Sequence, residues 1–214
     1  MRTLLRLLAL PLVSSRMAAA LAAEPNDVRP ICPDSSAADY FFAFATLDPT
    51  SARSDEFRRQ WYSVHLRAMS EASLSCGIEK SVTSYRFTWL RTFHHPIAVR
   101  VTNSTGVTCL VAVELDGAGG YAPGGVKNRV QKTLTPEQWA EIQNAIEASD
   151  FWSEATQDPA RTGFDGAQWV VEGERNESYH VVDRWSPEQG TQRDLGTLFL
   201  NLSGLLPQSG NEVH

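Results

Sequence analysis

Between Tyr85 and Phe93 the chain reads Tyr-Arg-Phe-Thr-Trp-Leu-Arg-Thr-Phe, so that Tyr85, Phe87, Trp89 and Phe93 share one parity and only Arg91 interrupts the rings. A two-residue period fits a pleated strand with one apolar face and fits no helix. Ile97 to Asn103 and Val107 to Leu115 alternate in the same way, and Asn103-Ser104-Thr105-Gly106 supplies the turn between them. A weaker strand is expected from Val126 to Thr133. Ala167 to Arg175 and Ser178 to Trp185 read as a hairpin around Asn176-Glu177. Strands that follow one another through short turns pair antiparallel.

Helical spacing appears on either side of this block. From about Ser54, Phe57, Trp61, Val64, Ala68, Met69 and Ala72 recur at helical intervals and predict one buried face. Asp39 to Leu47 reads as a shorter apolar helix. Thr135-Pro136-Glu137-Gln138 has the composition of a capping box with Pro in the first turn, ahead of Trp139, Ile142 and Ile146. Ser186-Pro187-Glu188-Gln189 repeats the device before Leu195, Leu198, Phe199, Leu202 and Leu205. The expected fold is α+β: an antiparallel sheet of about five to six strands packed against amphipathic helices in a single domain spanning residues 37–206.

The N-terminal segment gives an address. Arg2 and Arg6 precede the apolar run Leu7 to Val13, and Ala20-Leu21-Ala22 fits the small-x-small site that signal peptidases cut. That run is far shorter than the roughly 20 residues of a membrane span. Residues 1–23 are therefore expected to be a signal peptide, 24–36 a flexible leader and 207–214 a flexible tail. The protein is expected to be exported, periplasmic or secreted, and to be a soluble monomer. Removing 1–23 deletes three arginines and no acid, which takes Lys+Arg from 19 to 16 against 25 Asp+Glu, and the net charge from −6 to −9. That sign opposes phosphate backbones and anionic lipid, so neither nucleic acid binding nor membrane insertion is expected.

Cys32, Cys76 and Cys109 leave one thiol unpaired under any pairing. Cys32 and Cys76 bracket the helical N-terminal third and are the expected bridge in an oxidising compartment. Cys109, within Val107-Thr108-Cys109-Leu110-Val111, reads as a buried core thiol.

The motifs that carry chemistry are sparse. Gly117-Ala118-Gly119-Gly120-Tyr121-Ala122 matches G-x-G-x-x-A, but Pro123-Gly124-Gly125 and strand-like sequence follow it where a phosphate-holding helix is required. Five glycines in the nine residues 117–125 read instead as a mobile loop able to close over a ligand. No G-x-S-x-G, S-x-x-K or H-E-x-x-H occurs. His94 and His95 end the aromatic strand, and no histidine pair has metal-ligand spacing, so no metal and no cofactor is expected.

The hairpin places Trp169, Val171, His180, Val182 and Arg184 on one face and Gln168, Val170, Glu172, Glu174, Tyr179, Val181, Asp183 and Trp185 on the other. The first carries fewer charges and is the expected core face. A guanidinium on an aromatic face needs a carboxylate, a carbonyl or a ligand anion. This makes Arg91 and Arg184 either internal ion-pair partners of Glu114 or Asp183, or part of a ligand pocket with His94, His95, His180 and Asp183. With no catalytic constellation in view, the expected function is that of a non-catalytic binding or envelope accessory protein for a small ligand or an envelope protein. The alternatives are a hydrolase using His94, His180 and Asp183, with or without a metal, and an inhibitor or immunity-type protein.

Overall fold

The computed structural model describes residues 41–76, 81–163 and 165–205. The expected signal peptide, leader and tail, and Cys32, lie outside them. In chain order the elements are α1 (Ala52–Ala68), β1 (Val82–Arg91), β2 (Ile97–Ser104), β3 (Val107–Leu115), β4 (Val126–Thr133), α2 (Pro136–Ala148), a 3-10 turn (Phe151–Ser153), β5 (Ala167–Arg175), β6 (Ser178–Trp185) and α3 (Thr191–Ser203). The strands form one six-stranded sheet in the order β4-β3-β2-β1-β5-β6, antiparallel at every pairing.

Strands β1 to β4 form a meander. The chain then crosses through α2 and the 3-10 turn to set β5 against the free side of β1. Two tight hairpins fix the register. Ser104 faces Val107 across Thr105-Gly106, and Arg175 faces Ser178 across Asn176-Glu177, with both central residues at positive φ in each turn. That backbone twists in the same sense as the strands it joins.

Helices cover both faces of the sheet. On one face, Tyr85, Phe87, Trp89, Val99, Trp169, Val171 and Val182 pack beneath Ile142 and Ile146 of α2 and Leu195 and Phe199 of α3. Helix α3 rides close: a Cβ at Gly196 would lie 2.5 Å from the Trp169 ring. On the other face, Leu90, Ala98, Val113, Val170 and Val181 pack beneath Tyr62, Leu66 and Met69, with Phe42 and Leu47 from the segment before α1. The expectation of a single core face in the β5–β6 hairpin is therefore corrected. Trp169, Val171 and Val182 are buried as expected, but so are Val170, Glu172, Glu174, Val181 and Asp183 on the opposite side.

Four further expectations change. Residues 41–50 are turns rather than a helix, because the Asp55 carboxylate takes the backbone N–H groups of Ala45, Leu47 and Asp48 at 3.0, 2.9 and 3.2 Å. The capping box at Thr135 forms as expected. Ser186 caps nothing: its hydroxyl accepts from Ala167 N at 2.9 Å, and α3 starts later, behind Gly190. Phe93 falls beyond the end of β1 and is 61% exposed. Cys109 is an exposed free thiol, since it alternates with buried Thr108 and Leu110 on β3. Cys76 is disulfide-bonded.

Candidate ligand-binding groove

Helix α1 carries two stripes, and the sheet takes the more polar one. Asp55, Arg59, Tyr62 and Leu66, spaced as successive turns of one face, are buried together with Ser63 and His65. Asp55 both holds the preceding turns and accepts from Arg59 Nε at 2.8 Å. Of the apolar stripe expected to form the core, Met69 is buried, but the part on Phe57, Trp61 and Val64 faces outward instead: Phe57 is 63% and Val64 40% exposed, with Trp61 half-buried between them and its ring centroid 5.8 Å from that of Phe57.

The glycine-rich stretch stands opposite this stripe. It is not free to swing as a lid. Gly117 N donates to Pro123 O, Ala118 N to Ala122 O, Gly119 N to the carbonyls of Arg91 and His94, and Gly120 N to Thr92 O, all at 2.8–3.1 Å. Trp61 Nε1 donates to Gly119 O at 2.6 Å, and the rings of His65 and His95 reach the carbonyls of Ala118 and Gly117. The glycines serve close approach: a Cβ at Gly119 would lie 2.6 Å from the backbone N and O of Arg91. The loop is a fixed wall, and at its tip Tyr121 is 66% exposed with Phe93 beside it, ring centroids 6.1 Å apart.

Between α1 and this wall runs a groove of about 690 Å³, with Trp185, Gly163 and residues 165–168 along its far side. That volume falls within the roughly 300–1,000 Å³ of small-molecule sites. Aromatic rings from Phe57, Trp61, Tyr121 and Trp185 line it, together with the polar side chains of Arg58, Thr92, Asp165 and Gln168. A chamber of about 30 Å³ adjoins the groove and shares Arg58, Gly163, Gln168 and Trp185 with it. Asp183 is buried in the wall of that chamber. Its Oδ2 accepts from Tyr62 Oη at 2.7 Å and from Arg58 Nη1 at 2.9 Å. Burial raises the carboxyl above its ordinary range, against the pull of Arg58 and Tyr62. The Tyr62 phenol, wholly buried beside that carboxylate, is pushed well above its own.

The residues singled out from sequence do not converge. Arg91 is buried, donates from Nη2 to His95 O at 2.8 Å and lies over the Trp89 ring at 4.2 Å, so a carbonyl and a ring meet its charge. Glu114 and Asp183, the expected carboxylates, are engaged elsewhere, Glu114 by Lys127 and Asn128. Arg184 pairs with Glu154 at 2.6 Å and donates to the carbonyls of Ala155 and Thr156. His94 is exposed in the β1–β2 turn, and His95 is half-buried there. His180 lies across from Gly173, six positions along β5 from Ala167, the partner of Arg91. That separation is about 20 Å of strand. His180 reaches Glu154 O at 2.9 Å and meets the Phe151 ring, and burial lowers its pKa.

His180 and Asp183, of opposite parity on β6, face opposite sides of the sheet. Among the described residues no group of three or more His, Cys, Asp or Glu is placed to hold a metal ion, and no helix is long and apolar enough to cross a membrane. Sequence reasoning missed Arg58 and Tyr62 altogether and noted Tyr121 only as a member of the glycine-rich motif. The signal for Arg58 and Tyr62 was present, because Tyr62 and Leu66 stand four residues apart beside the stripe built on Phe57 and lead to Met69, already expected to be buried, and Arg58 lies four residues before Tyr62.

Fold and groove together define a two-faced, six-stranded antiparallel α+β domain with an aromatic-lined cleft along one helix. No protein-family model and no curated protein matches the chain.

Proposed function

We propose that this chain is an exported, non-catalytic binding protein that takes its ligand in the groove between α1 and the glycine-rich wall. One observation carries the reading: the most apolar stripe of α1 is turned away from the core. Of the seven large hydrophobic side chains exposed among the described residues, Phe57, Val64 and Tyr121 line this groove and Phe93 stacks at its rim, so four of the seven are gathered at one place. Covering a Phe or Val side chain is worth about 1.5–3 kcal/mol, so an occupant of this cleft gains affinity without any rearrangement of the fold. The fixed wall supports the same reading, since a preformed site costs little ordering on binding. The disulfide at Cys76 supports export. The hydrolase alternative draws no support from His94, His180 and Asp183 standing apart.

The test uses 8-anilinonaphthalene-1-sulfonate as an apolar probe and the double variant Phe57→Ser/Tyr121→Ser. The wild-type protein should enhance the dye's fluorescence saturably. The variant should lose that response while its thermal midpoint stays within about 2 °C, because substitutions at exposed positions change stability by no more than about 0.5 kcal/mol. Equal dye binding by both proteins would place the apolar site elsewhere and overturn the reading.

A further inference from the structure

Two residues that line the chamber beside the groove each carry a buried polar atom with no hydrogen-bond partner among the described residues: Asp183 its acceptor Oδ1, and Gln157 its donor Nε2. A buried group left so costs about 1–3 kcal/mol, and two around one chamber of about 30 Å³ specify what belongs there. The space holds one water-sized heavy atom. To satisfy both sides that atom must donate to a carboxylate oxygen and accept from an amide N–H. A water or a ligand hydroxyl does both, whereas an ammonium has no lone pair and a carbonyl has no proton; a ligand hydroxyl reaching this chamber takes the place that a water would fill.

The chamber adjoins a groove lined by aromatic rings, with Arg58 and Gln168 shared between the two. Aromatic faces take the apolar C–H side of a flat, polyhydroxylated ring, while hydroxyls at its edge require the donors and acceptors found at this end of the cleft.

Building on the groove reading above, we propose that the ligand is a saccharide, anchored by one hydroxyl held between Asp183 and Gln157 with its rings resting on the aromatic lining. The groove has room for a short oligosaccharide, and the chamber selects the hydroxyl by leaving both its own polar groups without that partner when an analogue lacks it.

The probes are a glycan array of hexose, N-acetylhexosamine and uronic acid oligosaccharides, followed by titration of the retained glycans against intrinsic fluorescence, which Trp61 and Trp185 report from within the groove. At least one glycan should bind. Gln157→Met, which keeps the side-chain length and removes the donor, should weaken it tenfold or more, and Asp183→Asn should weaken it as well. The Gln157→Met protein without ligand should melt at or above the wild-type temperature, since an unsatisfied buried amide has gone; a lower midpoint would mark Gln157 as merely structural and overturn the proposal.

If the dye binds in the groove but no glycan is retained, the saccharide is wrong and the groove stands. Glycan binding that ignores Gln157→Met overturns the anchoring hydroxyl. Failure of both dye and glycan to bind overturns both readings.

Discussion

Arg86 is held wholly out of water on the α1 side of the sheet. Its Nε and Nη2 donate to the two oxygens of Glu172 at 2.7 and 2.8 Å, and Nη1 donates to Ala72 O at 2.6 Å. Tyr179 Oη adds a bond to Glu172, while Glu71 accepts from both Arg86 and Arg100. Despite burial, the surrounding carboxylates hold the guanidinium pKa above its ordinary value. Desolvation makes such a pair a poor source of net stability, yet removing one partner strands the other. Arg86→Met should therefore cost about 3–5 kcal/mol, seen as a fall of roughly 6–20 °C in the thermal midpoint. Arg86→Met/Glu172→Leu together should recover much of that loss. A double variant as unstable as the sum of the singles, measured by urea denaturation, would show that the two side chains do not act as a pair. Arg91 was legible as a buried cation because rings flank it on its own parity. Arg86 was not, because a strand whose second parity reads Arg86, Thr88 looks like one with a solvent face, and only the docking of α1 and the residues after it reveals otherwise.

At the scale of elements, what could be read was what short-range physics fixes. The hairpin bounds at Ala167–Arg175 and Ser178–Trp185, the bounds of β3 and β4, and the capping box at Thr135 all depend on residues within a few positions of each other. The facing of α1 was hidden, since a helix with two apolar stripes does not declare which one the sheet will take. The glycine-rich segment misled for a related reason: glycine permits motion, but it equally permits backbone to lie against backbone. At Gly119 the second use is decisive, with Arg91 N and O 2.6 Å and Leu90 C 2.7 Å from a would-be Cβ, all main-chain atoms of β1 that cannot turn aside. Gly119→Ala should destabilise by about 1–3 kcal/mol through overpacking and should weaken dye binding, because the wall carrying Tyr121 is displaced. Gly125→Ala, in the same loop with nothing within 4 Å, should leave stability unchanged or slightly raised. Equal effects of the two substitutions on the denaturation midpoint would mean the loop is not docked as described.

For the whole molecule, burial on both sheet faces explains how a chain with 42% hydrophobic residues can spare an apolar stripe for its surface. Two apolar clusters, one beneath α2 and α3 and one beneath α1, divide the core between them. The α1 layer is continued by residues 69–76, which end on the disulfide-bonded Cys76, so the bridge ties down the layer that carries the groove. We expect its partner to be Cys32, closing a loop of about 45 residues that stabilises by roughly 4 kcal/mol on the chain-entropy model. We also expect the protein recovered outside the cytoplasm to begin near Glu24, with Cys32 retained in the mature chain. Native protein treated with iodoacetamide should then label at Cys109 alone, the exposed free thiol, and peptide mapping without reductant should recover Cys32 joined to Cys76. Reduction should lower the thermal midpoint and expose both remaining thiols to the reagent. An intact Met1 on the functional protein would remove the export reading, and a Cys109-containing disulfide peptide would remove the pairing. Because the bridge anchors the α1 layer and not the α2–α3 layer, reduction should also weaken dye binding in the groove before it unfolds the sheet, a sequence that fluorescence and far-ultraviolet circular dichroism followed together will resolve.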